Sequence, residues 1–326
     1  MKSDSPLGAR GILFRALPAV LLFGVFEAGL RLSGLPDFDA CWDVRSNLWQ
    51  DDPDPVLGWL FKPGVQVGKV HLNERGWNGP VLSEARVPGH FRVLYIGDST
   101  CFGLGVDLED SFAAASAHAL QEDRPDIVVE YQIGALPGYS SHHSREVTRR
   151  MLALAPDLVV FYVGGHNDHS RGRYFADADI PARLARRHSL WHQVRTLLLV
   201  ENIVDRAYRS VFRKLQPESA RARVSPEAFR RNVDDMVRWT LEAGGQPLLL
   251  SPPFSEHMQE DHPTVGEYQR AIASVSAERD ATMVDLQPLF VKHPDEEVYF
   301  PDMFHFNRRG HAIAAEAIRA AVANFR

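Results

Sequence analysis

Residues 93–100 read VLYIGDST, and this stretch decides the fold. The apolar run Val93–Ile96 is followed at once by glycine and by the small polar residues Asp98, Ser99 and Thr100. A short run that is apolar on both sides is typical of a parallel strand buried on both faces. In an open sheet covered by helices, ligands bind beyond the carboxyl ends of the strands. The stretch therefore predicts a buried strand that ends at a functional edge, with Ser99 on that edge.

The same kind of strand recurs on the C-terminal side. Further apolar runs lie at Ile127–Ile133, Leu158–Val163, Pro247–Leu250 and Met283–Leu286. Helical patterns alternate with them at Ser111–Leu120, Ser144–Leu154, Pro226–Ala243, Val265–Ala277 and after Asn307. This alternation predicts an α/β fold of three layers, a flavodoxin-like doubly wound sheet of five parallel strands in the order 2-1-3-4-5.

The N-terminal residues differ from the rest of the chain. Lys2, Arg10 and Arg15 precede an apolar run from Ala16 to Ala28 that only Glu27 interrupts. Positive charge before such a run indicates a secretion signal or a membrane anchor. Because no A-x-A cleavage site follows, we expect an uncleaved anchor helix over residues 11–30, with the catalytic domain outside the cytoplasm, in the periplasm or on the cell surface. A cytoplasmic protein with an apolar N-terminal helix is the alternative.

These patterns divide the chain into three parts. Residues 1–35 form the anchor, and residues 36–88, rich in Pro, Gly, Asp and Asn, form an irregular, partly β extension. Residues 89–326 form the α/β domain, which a helical insertion at about 171–224 interrupts. Within the insertion, residues 183–223 carry ten Lys or Arg and only three acidic residues. The apolar stripe of Leu190, Trp191, Val194, Leu197 and Leu198 predicts a helix that covers the core, with a lid or a surface for anionic lipid as alternatives.

A serine needs partners before it becomes a nucleophile, because its hydroxyl is weak without an adjacent base and a group that orients the base. Residues 301–305 read PDMFH, so that Asp302 and His305 are three positions apart on one turn. The carboxylate can then hold the imidazole with its other nitrogen toward Ser99. We expect Ser99, His305 and Asp302 to form a catalytic triad.

Attack by a serine builds negative charge on the substrate oxygen, and this charge needs donors. The third strand ends in GGHND at 164–168, which offers the side-chain amide of Asn167. The second strand leads into PGYSS at 137–141, where Gly138 can bring a bare N–H close to a ligand. In a 2-1-3-4-5 sheet the ends of the first three strands are neighbours, so both loops converge on Ser99.

Together these segments resemble the four motif blocks of the SGNH (GDSL) hydrolase superfamily, over roughly residues 90–326. The matching residues are Gly97-Asp98-Ser99, Gly138, Gly165-His166-Asn167-Asp168 and Asp302-x-x-His305. The resemblance implies that Ser99 is the nucleophile, His305 the base and Asp302 its orienter. It also implies an oxyanion hole made of the Ser99 N–H, the Gly138 N–H and the Asn167 amide.

Residues 52–59 and 73–77 resemble the leader of membrane-anchored bacterial members of the superfamily. Two positions depart from the usual motifs. Thr100 replaces the leucine after the serine, and Ile133 stands where many members have an asparagine. Neither position supplies the nucleophile or the base, so the departures concern substrate fit.

The expected function is that of a serine esterase that cleaves short acyl esters through a covalent acyl-enzyme. Its substrate is expected to be a small-molecule, glycan or lipid ester. An O-acyltransferase that acetylates extracytoplasmic glycans with the same triad is one alternative. A catalytically idle carbohydrate-binding module that keeps the fold is another, and the complete set of motif residues argues against it.

Other classes lack their signals. A net charge of -6 and a pI near 6.2 argue against a nucleic-acid binder. An α/β-hydrolase elbow, G-x-S-x-G, fails at Cys101, and no phosphate-binding GK[ST] follows the strand. No HExxH or acidic cluster accompanies the histidines at 142, 143, 166 and 169, so neither a metal nor a cofactor is expected. Cys41 and Cys101 are expected to be unpaired thiols, with Cys101 in a packing role.

Overall fold

The computed structural model describes residues 9–33, 49–51, 56–83, 86–170, 176–182, 194–212, 222–261, 264–323 and 325. The chain divides into two compact units. One unit contains Met1–Val44 and Pro181–Leu215, and the other contains Arg45–Ile180 and Gln216–Arg326. The limits 1–35, 36–88 and 89–326 drawn from the sequence stay a prediction.

The described strands are short in the N-terminal part and longer in the rest of the chain. In chain order they are β1 (Trp49–Asp51), β2 (Trp59–Phe61), β3 (Gln66–Val67), β4 (Val70–His71), β5 (His90–Gly97), β6 (Val128–Ala135), β7 (Leu158–Tyr162), β8 (Gln246–Ser251) and β9 (Thr282–Asp285). The helices are α1 (Ala9–Ser33), α2 (Ser99–Phe102), α3 (Phe112–Asp123), α4 (Ser141–Met151), α5 (His166–His169), α6 (Arg195–Phe212), α7 (Pro226–Glu242), α8 (Glu256–Asp261), α9 (Val265–Arg279), α10 (Gln287–Phe290), α11 (Asp295–Val298) and α12 (Arg308–Val322).

The main sheet has five parallel strands in the order β6-β5-β7-β8-β9, which confirms the doubly wound sheet with order 2-1-3-4-5. The middle strand β7 is buried at every position, as expected for a sheet covered on both faces. Gly97, the last residue of β5, is paired with Ala135 of β6 and with Tyr162 of β7. The three strands therefore end together, and the loops that follow them share one edge.

Helices pack in two groups, one for each face of the sheet. Helices α3 and α12 contact each other and reach β6 and β9, whereas α4, α7 and α9 pack together and reach β5 and β8. The helix faces that meet the sheet are apolar: Phe112 and Ala113 of α3 and Ile318 of α12 have no exposed surface. Full burial of a side chain such as Ile318 contributes about 1.5–3 kcal/mol. This is the predicted three-layer arrangement.

The N-terminal extension is partly β, as predicted, and it packs on the core. Strands β1 and β2 pair antiparallel, and so do β3 and β4. Leu57 and Phe61 are buried. The Tyr139 hydroxyl donates to the carbonyl of Trp59 at 2.7 Å, and Asn78 Nδ2 donates to the carbonyl of Phe102 at 2.8 Å. The extension thus supports the loop that carries Gly138 and the short helix that begins at Ser99.

The smaller unit contains one helix that is long and apolar enough to cross a membrane, among the residues described; the qualifying stretch is Ala16–Ser33 of α1. The carboxylate of Glu27 accepts from the backbone N–H of Arg195 at 2.9 Å and of Thr196 at 2.8 Å, and from the Thr196 hydroxyl at 2.9 Å. Because the first N–H groups of a helix have no partner within it, Glu27 satisfies the start of α6. Glu27, the only break in the apolar run, therefore joins α1 to α6.

Helix α6 is the longest described element of the predicted helical insertion, of which residues 176–182 and 222–224 are also described. Leu198 is buried, whereas Ile203 and Val204 are more than half exposed. Leu190 and Trp191, which belong to the predicted apolar stripe, lie outside the described residues. The roles proposed for the insertion from the sequence stay predictions.

Candidate active site

Ser99 is placed by a sharp turn between β5 and α2. Asp98 caps α2, and its side chain accepts from the Thr100 N–H at 2.8 Å. A Cβ atom at Gly97 would lie 2.5 Å from the carbonyl oxygen of Tyr162 and 2.6 Å from the Cβ of Cys101. No side chain fits there, so glycine is required for the chain to turn against β7. The turn sets Ser99 at the sheet edge that the sequence predicted.

Asp302 and His305 lie on one tight turn before α12. Asp302 Oδ1 accepts from the His305 N–H at 3.0 Å, and Asp302 Oδ2 is 2.8 Å from His305 Nδ1. Met303 between them has φ +64°, the left-handed conformation that closes the turn. Asn307 then caps α12 by accepting from two backbone N–H groups. His305 Nε2 lies 2.7 Å from Ser99 Oγ, so the structure brings together the three residues that the sequence singled out.

The charge on Asp302 follows from its contacts. Partial burial raises the pKa of Asp302, but hydrogen bonds from the backbone and side chain of His305 outweigh it and hold the pKa below its ordinary value. Asp302 is therefore ionised at neutral pH and accepts a hydrogen bond from the Nδ1–H of His305. In that tautomer Nε2 is unprotonated and accepts from the Ser99 hydroxyl.

Gly138 and Asn167 lie on the loops that follow β6 and β7. Gly138 has φ +85°, a conformation that favours glycine, and Asn167 lies in the short helix α5. Arg223 contacts both residues: it donates to the carbonyl of Gly138 at 2.9 Å and to Asn167 Oδ1 at 3.3 Å. Arg223 itself is paired with Asp177. The two predicted oxyanion residues thus share one guanidinium, and no motif in the sequence marks Arg223 as part of the site.

Two buried carboxylates support these loops. Burial raises the pKa of Asp98 to about 7, although the Thr100 N–H partly offsets the effect. Burial also raises the pKa of Asp168 to about 6, against hydrogen bonds from Ser141 and Gly164. Asp168 accepts from the N–H of Ser141 at 2.8 Å and of Gly164 at 3.1 Å. It therefore ties the loop after β7 to the start of α4, the helix that follows the Gly138 loop.

A cavity of about 10 Å³ opens beside Ser99. Its lining residues are Asp98, Ser99, Thr100, Tyr162, Gly165, His166, Pro252, Pro253, Phe254, Met258, Met303 and Phe304. Phe254, Met258 and Val265 form a buried apolar cluster against which Phe304 packs. The Phe304 ring also stacks on His166, with centroids 4.4 Å apart. One side of the cavity is therefore polar and carries the nucleophile, and the other side is apolar.

The apolar side of the cavity, called the apolar wall below, is formed by Phe254, Met258 and Phe304. None of these residues was among the site residues predicted from the sequence. Its members Phe254 and Met258 follow β8, whose carboxyl end lies at the same edge as those of β5 and β7. The rule that predicted the Ser99 edge could therefore have pointed to the Pro252–Phe254 loop. Phe304 lies in the PDMFH segment at 301–305, between Asp302 and His305.

Other reactive side chains near the site have packing environments. Cys101 is fully buried, and burial raises the pKa of its thiol well above the ordinary value. Cys41 lies outside the described residues. His143 stacks on Tyr139 with centroids 4.8 Å apart, and His169 meets Phe254 edge-on at 5.4 Å. Within the part of the chain described, no three His, Cys, Asp or Glu side chains are grouped to hold a metal ion.

Comparison with solved structures finds similar folds at low sequence identity. LAE5, an alpha/beta hydrolase enzyme from the metagenome of Lake Arreo, Spain, is 19% identical, covers 72% of this chain and 96% of its own, and has a TM-score of 0.50. Axe2, an acetylxylan esterase from Geobacillus stearothermophilus, is 18% identical over 72% and 95% of the two chains, with a TM-score of 0.49. The lipase/acylhydrolase from Enterococcus faecalis is 15% identical over 72% and 95%, with a TM-score of 0.46.

Comparison of the sequence itself identifies the family. No curated protein sequence matches this chain at a significant level. Residues 95–313, more than half of the chain, match the family described as GDSL-like Lipase/Acylhydrolase. The matched range contains every residue of the four motif blocks, and this confirms the resemblance drawn from those motifs. The chain therefore belongs to the GDSL-like lipase/acylhydrolase family, and it is a hydrolase that acts on ester bonds.

Proposed function

We propose that the protein is a serine esterase that removes short acyl groups, acetyl above all, through a covalent acyl-enzyme on Ser99. One observation carries the proposal: an unbroken line of contacts runs from Asp302 Oδ2 to His305 Nδ1 at 2.8 Å and from His305 Nε2 to Ser99 Oγ at 2.7 Å. A serine hydroxyl becomes a useful nucleophile when a base takes its proton and a third group orients the base. The line of contacts supplies both.

In the first half of the reaction, Ser99 Oγ attacks the ester carbonyl while its proton moves to His305 Nε2. The carbonyl oxygen becomes an oxyanion, to which the N–H groups of Ser99 and Gly138 and the amide of Asn167 donate. The C–O bond of the ester then breaks, and His305 gives its proton to the departing alcohol oxygen. Asp302 stays ionised and stabilises the imidazolium that forms in between.

In the second half, water takes the place of the alcohol. His305 removes a proton from the water as its oxygen attacks the acyl-enzyme, and it returns that proton to Ser99 Oγ when the tetrahedral intermediate breaks down. The products are a carboxylic acid and the free enzyme. Every proton that moves is held in turn by His305 Nε2, so one base serves both halves.

The lining of the cavity supports a short acyl group. Phe254, Met258 and Phe304 border the cavity beside Ser99 on its apolar side. A longer acyl chain would meet the buried cluster of Phe254 and Met258. The substrate is therefore a small-molecule, glycan or lipid ester whose acyl part is short.

Helix α1 is proposed to anchor the enzyme with its catalytic part outside the cytoplasm. The apolar stretch Ala16–Ser33 supports a membrane span. The positive residues Lys2, Arg10 and Arg15 precede it, and such residues tend to stay on the cytoplasmic side. Reporters fused to Arg326 test the orientation: activity of a periplasmic reporter is expected. Activity of a cytoplasmic reporter alone, or recovery of the chain in the soluble cytoplasm, would contradict the anchor.

A p-nitrophenyl ester series tests the proposed reaction on the full chain in detergent. Acetate is expected to give a burst of p-nitrophenol, one per enzyme at most, followed by steady turnover, and kcat/KM is expected to fall from acetate to butyrate to octanoate. A preference for octanoate would contradict the short-acyl assignment. Addition of an acetyl-accepting oligosaccharide is expected to leave hydrolysis dominant. Acetyl transfer to the sugar in preference to water would instead make the enzyme an acyltransferase.

A further inference from the structure

A buried ion pair lies directly behind the two proposed oxyanion residues. Arg223 Nε is 3.1 Å from Asp177 Oδ1, and Arg223 Nη2 is 2.8 Å from Asp177 Oδ2. Both residues are about 95% buried, with exposures of 5% and 4%. Asp177 lies near the start of the helical insertion and Arg223 near its end. The backbone joins them as well, because the Asp177 N–H donates to the Arg223 carbonyl at 2.9 Å.

The pair with Asp177 leaves other N–H groups of Arg223 to contact the site. Nη1 donates to Asn167 Oδ1 at 3.3 Å, and Nη2 donates to the carbonyl of Gly138 at 2.9 Å. Asp177 Oδ2 also accepts from the hydroxyl of Ser140, two residues after Gly138, at 2.6 Å. The ion pair therefore contacts both loops that supply the proposed oxyanion donors.

We infer that Arg223, oriented by Asp177, is a positioning residue that holds Asn167 and Gly138 with their N–H donors toward the substrate oxyanion. The inference rests on the proposed function. A side-chain amide has a donor end and an acceptor end that can exchange by rotation. Only the donor end stabilises an oxyanion, whereas the acceptor end repels it. A guanidinium has donors alone, so it binds the Oδ1 end of Asn167 and leaves Nδ2 for the substrate oxygen.

The contact with Gly138 acts in the same sense. Gly138 is in the left-handed conformation, φ +85°, which glycine adopts without strain but which leaves its peptide free to turn unless a contact holds it. The Gly138 carbonyl accepts a hydrogen bond from Arg223, and the hydroxyl of Ser140, two residues later, donates one to Asp177. The ion pair therefore holds the Gly138 loop at two points. The planar fork of arginine can make these contacts together. A lysine ammonium, a single point of charge on a flexible stem, cannot reproduce them.

Two variants separate positioning from simple support of the fold. Arg223→Lys keeps the charge opposite Asp177 and loses the fork. The paired variant Arg223→Met with Asp177→Leu removes both charges, so that no buried charge is left unpaired, and such replacements are often tolerated. Arg230→Met is the control, since Arg230 pairs with Glu278 on exposed surface, far from the motif blocks in sequence. Thermal unfolding of each variant is measured beside its kinetics.

Both test variants are expected to lower kcat for p-nitrophenyl acetate about 10- to 100-fold, part of what loss of one oxyanion donor costs, with KM changed less than about threefold. The control is expected to match the wild type. The decisive measurement repeats Arg223→Lys in an Asn167→Ala background. Because Arg223 is proposed to act through both Asn167 and Gly138, the further loss of kcat there should be smaller than in the wild-type background, and the loss that remains is the part that acts through Gly138.

The outcomes distinguish this inference from the proposed function. An active wild type in which Arg223→Lys and the paired variant keep full kcat would overturn the inference alone. An undiminished loss in the Asn167→Ala background, or a loss that tracks reduced thermal stability, would overturn it too, because Arg223 would then act elsewhere or on folding. A Ser99→Ala variant that kept full turnover would instead overturn the proposed function, and the inference with it.

Discussion

His305 Nε2 lies 2.7 Å from Ser99 Oγ, although 206 positions separate the two residues in sequence. Ser99 follows β5, the strand that pairs with both β6 and β7, and His305 is on the turn before α12. The Phe306 side chain, next in sequence, is completely buried and packs on Tyr162 of β7, with ring centroids 5.7 Å apart. The contact between base and nucleophile is thus fixed by packing of the turn on the sheet that carries Ser99.

Replacement of the nucleophile should remove the covalent route. Ser99→Ala is expected to abolish the burst of p-nitrophenol and to reduce kcat to near the background rate, because no acyl-enzyme forms. Cys101→Ala is the matched control, two residues away and fully buried, and it should keep kcat within a few-fold. Mass spectrometry of the enzyme after an acetate burst should find an added acetyl group in the Cys101→Ala protein and none in Ser99→Ala. The reverse pattern would make Cys101 the nucleophile.

The orienting carboxylate should matter nearly as much as the base. Asp302→Asn keeps the shape of the turn, but an amide that donates toward Nδ1 favours the wrong tautomer of His305. We expect kcat to fall on the order of 10³- to 10⁴-fold, close to the effect of His305→Ala, while KM changes little. Steady-state kinetics of both single variants and of the double variant check this. Losses that multiplied in the double variant would show that the two residues do not act as one unit.

Much of this site could be predicted from sequence because its signals are local. Ser99 follows an apolar strand directly, and Asp302 and His305 share one turn. The order of the sheet then needed only the alternation of strands and helices, and that order placed the loops of Gly138 and Asn167 on the edge that carries Ser99. Each step depended on spacing within about ten residues or on a general rule of parallel sheets.

The contacts of Arg223 could not be predicted in this way. Arg223 is one of ten Lys or Arg residues at 183–223, and no periodic pattern marks it as buried. Its partners Asp177, Gly138 and Asn167 lie 46, 85 and 56 positions away. The hydrogen bonds of Glu27 to the start of α6 span 168 positions, and no sequence pattern predicts them either. Such contacts depend on tertiary packing, which the patterns of strands and helices do not predict.

The apolar wall should set the length of the acyl chain. Met258→Ala is expected to enlarge the cavity. The ratio of kcat/KM for butyrate to that for acetate should then rise by about tenfold or more, because one methylene group accommodated in an apolar pocket contributes about 1–3 kcal/mol. Removal of a buried methionine costs about 2–5 kcal/mol of stability, so the control must share that cost. Met236→Ala on α7 is such a control, because Met236 is fully buried and does not line the cavity. An equal shift in both variants would refute the role of the wall.

The buried carboxylate Asp98 should make stability depend on pH in a definite direction. Burial raises its pKa from the ordinary 3.8 to about 7, so that between these values the folded protein holds a proton that the unfolded chain has lost. The contribution of Asp98 to stability is therefore fully present below about pH 4 and is lost as pH rises through 7, at no more than about 1.4 kcal/mol per pH unit.

Asp98→Asn removes this titration and keeps the oxygen that accepts from the Thr100 N–H. The variant should therefore gain stability relative to the wild type as pH rises from 4.5 to 7.5, as measured by urea unfolding at several pH values. Asp126→Asn, which changes an exposed carboxylate before β6, is the control and should run parallel to the wild type. The sign of this change in stability identifies Asp98. Asp302 is present in all three proteins, and because its pKa is lowered, its titration makes stability rise with pH. Parallel curves for Asp98→Asn and the wild type would mean that Asp98 is already ionised in the folded enzyme, and that its charge is balanced by the turn it caps.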